Sequence, residues 1–172
     1  MATRTKARRM NLTKDKILEI LEEVTDPEIP VLTVADLGII RDVHIAEDGG
    51  VEVVITPTYS GCPAMNMIEV NIKAALQEAG VGKVRVKTVL HPAWTTDWIS
   101  KSGRAKLKAY GIAPPVNGSV NKGTLFGEGP VVECPRCGSK DTKMLSQFGS
   151  TACKALYQCQ DCKEPFDYFK CH

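Results

Sequence analysis

Long apolar runs are missing from this chain of 172 residues: nothing approaches the roughly 20 consecutive apolar residues of a membrane-spanning helix. Arg4, Lys6, Arg8 and Arg9 have no apolar stretch behind them, so neither a secretory signal nor a membrane anchor is expected. Net charge is also small, at +2. Residues 1–10 hold four basic groups, residues 11–130 hold 12 basic against 15 acidic, and residues 131–172 hold six against five. The C-terminal segment thus lacks the basic footprint that phosphate contacts need, and nucleic acid is not an expected partner. Aromatic residues are scarce at 6%, which makes His91-Pro92-Ala93-Trp94 and Trp98 stand out; sealing a core edge is the ordinary role for such tryptophans. No Gly-rich phosphate loop, His-Glu-x-x-His helix or nucleophile-elbow serine is present.

Cysteine is not scarce. The chain has seven, an odd number that argues against a secreted disulfide scaffold and, with no export signal, for a reducing cytoplasm. Four of them form two knuckles, Cys134-Pro-Arg-Cys137 and Cys159-Gln-Asp-Cys162. Each Cys-x-x-Cys turn aims two sulfurs at one ion, and four thiolates close its shell. A closed shell is a structural site, and bound metal supplies folding energy that a segment this short cannot draw from its own core. Zinc is the expected ion; iron takes the same ligand set in a rubredoxin-like site and would carry electrons instead. Cys153, Cys171 and His172 remain as additional ligands, either as a second soft-ligand group or in place of a knuckle sulfur. The alternative is a buried small hydrophobe for Cys153 and an exposed tail thiol for Cys171.

The rest of the chain reads as α+β, a small, mostly antiparallel sheet packed with helices, followed by a zinc-ribbon-like β domain. Thr13 is the expected N-cap of a first amphipathic helix ending near Thr25, with Leu12 and Ile17 as a hydrophobic staple. Residues 39–45 and 51–56, joined by Glu47-Asp48-Gly49-Gly50, predict a hairpin. A second helix over 64–79 stops at Gly80, a third strand spans 83–90, and a short helix over 104–110 stops at Gly111. These elements give a flexible basic arm over 1–12, an α+β domain over 13–111, a linker or wrapping arm over 112–130 and the ribbon over 131–172.

Cys62 differs from the knuckle cysteines. Thr58-Tyr59-Ser60-Gly61-Cys62-Pro63 carries it off a strand onto the start of a helix, where free amides and the helix dipole favour thiolate over thiol; the alternative is a buried structural cysteine at a turn. Asp26, Glu28 and Asp36, in loops flanking the first strand region, are candidates to gather near it as hard ligands or acid/base groups; ordinary surface acids are the alternative. No general base stands beside Cys62 in sequence, so an independent thiol enzyme is not expected.

Asp26-Pro27-Glu28-Ile29-Pro30, Asp36-Leu37-Gly38-Ile39-Ile40-Arg41-Asp42-Val43, Gly61-Cys62-Pro63 and Pro92-Ala93-Trp94 together resemble the small domain of iron-sulfur cluster assembly factors over residues 13 to about 111. The ribbon, with residues 148–156 and 166–172, is similar to the D-subunit family of bacterial phenylacetyl-CoA epoxidase systems. The resemblance implies an accessory component of aerobic phenylacetate catabolism that assists maturation or maintenance of iron or iron-sulfur centres and does not itself epoxidise. It transfers the family's reactive cysteine to Cys62, a transient ligand of iron or a cluster, and the acidic motif to Asp26, Glu28 and Asp36. Trp98 stands where relatives often have a methionine, and no role is transferred to it. The implied partners are other epoxidase subunits, including the iron-sulfur reductase. A single thiolate does not retain a cluster, so a partner or a homodimer that pairs two copies of Cys62 is expected to complete the shell. The rival expectations are a rubredoxin-like electron carrier and a purely structural subunit.

Overall fold

The computed structural model describes residues 12–116 and 130–170. Helix α1 (Lys14–Leu21) starts at Thr13, whose hydroxyl accepts the Lys16 amide at 3.4 Å and so satisfies one free donor of the first turn. It stops earlier than the sequence suggests. The amides of Glu23 and Val24 turn to Ile20 and Leu21, three residues back, and Thr25 then bridges to Thr33.

Strands β1 (Ile40–Ile45) and β2 (Val51–Ile55) form the expected antiparallel hairpin. Helix α2 (Ala64–Glu78) then carries the chain back, so β3 (Val84–Thr88) lies parallel to β2 in the order β1-β2-β3. The parallel pairing follows from connection length, because a helical crossover returns the next strand in the same direction. Val51, Val53 and Ile55 point from β2 to one face, where they pack with Ile17 and Leu21 of α1 and Ile68, Ile72 and Leu76 of α2. Seven of these eight side chains are no more than 2% exposed, so each adds about 1.5–3 kcal/mol of burial.

Helix α3 (Lys101–Tyr110) begins three residues before the expected start, because Ser100 caps it by accepting the Gly103 amide at 2.8 Å. Gly111 ends it in the left-handed region at φ +89°.

The chain enters the second sheet at once. Strand β4 (Ile112–Ala113), expected within the connecting segment, pairs parallel with β7 (Pro165–Phe169). With β5 (Thr142–Ser146) and β6 (Lys154–Cys159) the order is β4-β7-β6-β5, and the two ribbon pairings are antiparallel. Its core is Ala113, Val132, Ala155, Tyr157, Phe166 and Tyr168, with Cys134 and Cys159 at the metal end. Tyr157 stacks on Phe166 at 6.0 Å and meets Tyr168 edge-on at 5.5 Å.

The ribbon is docked on the first unit. Cys153 and Phe169 are buried in the core of the N-terminal unit, and the Phe169 ring meets Trp94 edge-on at 6.2 Å. Trp94 is itself held by its indole N–H donating to the Leu37 carbonyl at 2.9 Å, so this tryptophan seals a core edge as expected. Among the described residues no helix is long and apolar enough to cross a membrane.

Candidate functional site

Cys134, Cys137, Cys159 and Cys162 converge so that their sulfurs all lie within 4.8 Å of one another. The Cys134–Cys162 and Cys137–Cys159 sulfur pairs are 3.8 and 3.5 Å apart. Tetrahedral zinc with bonds of about 2.3 Å requires sulfurs about 3.8 Å apart, so the four side chains are placed to close around a metal ion. The knuckle backbone completes the fit. The Ser139 amide donates to Cys137, those of Asp161 and Cys162 to Cys159, and that of Glu164 to Cys162, supporting thiolates that burial alone would disfavour. Gly138, at φ +77°, follows the first knuckle, and its amide bonds back to the Cys134 carbonyl at 2.9 Å. Cys153 is not part of this group, and Cys171 and His172 lie outside the described residues.

Cys62 sits elsewhere, just before α2, with three donors directed at its sulfur: the Ala64 amide and the Tyr59 and Thr58 hydroxyls. The helix-terminus amide anticipated from the sequence is therefore present, but its expected consequence is not. Burial outweighs the three donors, the Glu28 charge adds to it, and the Cys62 thiol is pushed above its ordinary value. Without a cation the group is a thiol.

The acids divide. Asp26 is buried and its Oδ1 accepts the amides of Glu28 and Ile29, each at 2.8 Å, closing the turn that presents Glu28. Burial raises the Asp26 carboxyl in spite of these bonds and of the nearby Lys154 charge. Glu28 faces the ribbon, where its Oε2 lies 3.6 Å from the Cys153 sulfur. Its charge acts on Cys62, Tyr59 and Cys153 alike. Asp36 does not join this group. Its carboxylate accepts from the Thr33 amide and hydroxyl, from Ser100 Oγ at 2.8 Å and from Lys106 Nζ, which ties the motif loop to α3. Burial would raise this carboxyl, but Lys106, Ser100 and Thr33 outweigh it and hold it below its usual value.

The motif glycine has a steric cause. Gly38 is at φ +63°, and a Cβ there would stand 2.2 Å from the Trp98 carbonyl oxygen. Trp98 carries the Arg41 guanidinium over its ring at 3.7 Å, and Arg41 donates to the Gly38 carbonyl. Beyond Tyr59, a cavity of about 440 Å³ is lined by Thr56, Pro57, Ser60, Leu90 and Trp94. The Thr56 hydroxyl, 1% exposed as a residue, has no hydrogen-bond partner among the described residues.

Cys153 is buried, one of the two readings that the sequence leaves open for it; what the sequence does not show is that it lies against Glu28 of the other unit, and the available signal is that it belongs to neither knuckle.

Two family profiles match separate stretches of the chain. The family profile described as iron-sulfur cluster assembly protein matches residues 14–88, and the profile described as PaaD zinc beta ribbon domain matches residues 118–170. A protein of Escherichia coli (strain K12), provisionally named as the D subunit of 1,2-phenylacetyl-CoA epoxidase, is 49% identical over 156 residues, 91% of this chain and 92% of that protein. The Bacillus subtilis (strain 168) Fe-S protein maturation auxiliary factor YitW is 36% identical over 95 residues, 55% of this chain and 92% of its own. A solved domain of unknown function from Bacillus anthracis superposes with a TM-score of 0.51 at 28% identity, covering 55% of this chain and 90% of that one. The shorter relatives thus span the first unit, whereas the E. coli protein spans both, and with this two-unit architecture the chain belongs to the D-subunit family of phenylacetyl-CoA epoxidase.

Proposed function

We propose that this protein is a non-catalytic accessory factor that handles iron or an iron-sulfur centre for a phenylacetyl-CoA epoxidase system, with Cys62 as the transient ligand. The observation that carries the reading is the Cys62 corner: a half-buried sulfur approached by three hydrogen-bond donors and within reach of the Glu28 charge, inside the segment that matches iron-sulfur assembly proteins. Those donors stabilise a thiolate once a cation displaces its proton, while burial keeps the free thiol protonated and unreactive. A sulfur of this kind takes up metal and releases it, as a carrier must. The name of the 49% identical relative supports the epoxidase system as the setting and its other subunits, the iron-sulfur reductase among them, as partners.

The ribbon's part is structural. Zinc held by Cys134, Cys137, Cys159 and Cys162 would cross-link the two knuckles with no open coordination position for a substrate. The docked ribbon then presents Cys153 and Phe169 to the first unit.

Metal content and visible spectrum on protein purified without oxygen, wild type beside Cys62→Ser, test the reading together with support of epoxidase activity by each. Loss of support by the folded variant, with one zinc per chain retained, is the expected result. Full support by Cys62→Ser would overturn it. Iron retained in both proteins with visible absorbance would instead favour electron transfer through the four-cysteine site.

A further inference from the structure

We infer that Cys153 of the ribbon and Cys62 of the first unit are the two sulfur ligands of one cargo-metal site, completed by Glu28, so that the docked ribbon supplies in the same chain the second thiolate that a lone Cys62 lacks. The inference rests on the proposed role of Cys62 and adds to it a ligand, a donor set and a metal class.

Three segments far apart in sequence converge on the Glu28 charge here. Glu28 comes from the loop after α1, Cys62 from the turn before α2 and Cys153 from the residue before β6. Cys153 points its sulfur at Glu28 Oε2 across 3.6 Å and is braced by Thr151 Oγ1 at 3.0 Å. Cys62 feels the same Glu28 charge, and Tyr59 feels Cys62, Glu28 and Cys153 together. The groups around this point are thus two thiols, a phenol and the carboxyls of Glu28 and Asp26. The Cys153 thiol donates to Glu28 Oε2, and burial together with the Glu28 and Asp26 charges keeps it protonated until a cation takes the proton's place. Lys154 and Lys170 stand beside this group: the Lys154 charge reaches Asp26 and Lys170 feels Cys153. Both are engaged elsewhere as well, Lys154 Nζ 3.4 Å from Asp167 Oδ2 and Lys170 over the Phe148 ring at 4.5 Å.

Two sulfurs and one carboxylate oxygen suit a borderline-soft divalent ion, ferrous iron being the member of that class a maturation factor would carry. Among the described residues the knuckle cysteines are the only group of three or more such donors within 4.8 Å of one another; Cys153 and Glu28 already touch, and the set with Cys62 is wider than an assembled ligand group. Binding draws them together and releases the thiol protons, which fits uptake and release better than permanent storage. Tyr59 donates to the Cys62 sulfur from the side of the 440 Å³ cavity, a position from which it supports a metal-bound thiolate. An isolated assembly domain lacks the ribbon and therefore lacks this second sulfur.

The test is cobalt(II) titration of reduced, zinc-loaded full-length protein, read by thiolate-to-cobalt absorption. Zinc binds the four-cysteine site more tightly than cobalt and keeps it filled. The expected result is one further cobalt per wild-type chain, at least about tenfold weaker binding and about half the thiolate absorption in both Cys62→Ser and Cys153→Ser, and weaker binding with unchanged absorption in Glu28→Gln. Retained ribbon zinc and an unchanged unfolding midpoint identify the folded variants; if Cys153→Ser fails that check, Cys153→Ala and Glu28→Gln carry the test. Wild-type behaviour of Cys153→Ser with loss in Cys62→Ser overturns the two-sulfur site and leaves the proposed role of Cys62 standing. Wild-type behaviour of both cysteine variants overturns both, and absence of a further cobalt in the wild type overturns the site.

Discussion

The Cys153 sulfur lies 3.6 Å from the Glu28 carboxylate, across 125 positions of sequence and across the junction of the two units. This contact makes the ribbon part of the motif loop's surroundings. Glu28 is aimed by Asp26, which holds the Glu28 and Ile29 amides, and Cys153 is aimed by the turn at Thr151. Each unit thus fixes one member of the pair. Lys154 extends the junction: it is 6% exposed, pairs with Asp167 and places its charge near Asp26.

Phe169→Ala is expected to undock the ribbon. The side chain is 1% exposed and packs edge-on against Trp94, so truncation is worth about 3–5 kcal/mol. Both tryptophans belong to the first unit, so their emission reports the junction. The variant should shift that emission toward that of solvent-exposed indole and make Cys153 reactive to an alkylating reagent while the ribbon metal is retained. Unchanged emission and a protected Cys153 would mean that Phe169 does not hold the ribbon in place.

Much of the first unit was legible in the sequence because its signals are local. Thr13 caps α1, the Glu47 to Gly50 turn joins β1 and β2, and Gly80 and Gly111 end their helices at positive φ. The four knuckle cysteines were legible for the same reason, since spacing alone puts two sulfurs on each turn. What escaped depends on pairing between distant segments. Nothing local to Ile112 and Ala113 says that they extend the ribbon sheet, and nothing local to Cys153 says that it faces Glu28. Nearness in sequence groups Asp36 with Asp26 and Glu28. The loop folds back between Thr25 and Thr33, and Asp36 is delivered to Ser100 and Lys106 instead.

Gly38→Ala should destabilise more than a positive φ alone requires. Gly49, at φ +82° with nothing within 4 Å of where a methyl carbon would stand, gives the backbone contribution, about 1 kcal/mol for Gly49→Ala. At Gly38 the added Cβ also meets the Trp98 carbonyl at 2.2 Å. Chemical denaturation of the two variants should separate them by at least about 2 kcal/mol, with Gly38→Ala the less stable. Equal losses would show that Trp98 yields without cost.

Removal of the ribbon metal should be felt in the first unit. A chelator, or Cys159→Ser, leaves thiols where thiolates were bridged, and binding energy on the order of 10 kcal/mol is withdrawn from the ribbon fold. The packing of Tyr157 with Phe166 and Tyr168 then loses its frame, and Phe169 withdraws from Trp94. Metal released per chain and tryptophan emission should change together during chelation, with the far-ultraviolet signal of α1, α2 and α3 largely retained. Emission that stays constant as the metal leaves would show that docking is independent of it.

Asp36→Asn should weaken the fold in a pH-dependent way. The carboxyl is held below its ordinary value of 3.8, because Lys106, Ser100 and Thr33 together exceed the effect of burial. A carboxyl with a depressed folded value stabilises the protein fully above its unfolded value and loses that contribution as pH falls through the folded one. The variant keeps the size of the side chain but loses the charge that Lys106 pairs with and one of its acceptor oxygens. At pH 7 the expected loss is about 1–3 kcal/mol. The gap between wild type and variant should begin to narrow below about pH 4 and go on narrowing as pH falls toward the depressed folded value, where the wild-type carboxyl takes up its proton. Denaturation midpoints measured from pH 3 to pH 7 check this. A gap that is constant over the range would assign Asp36 a packing role in which its charge has no part.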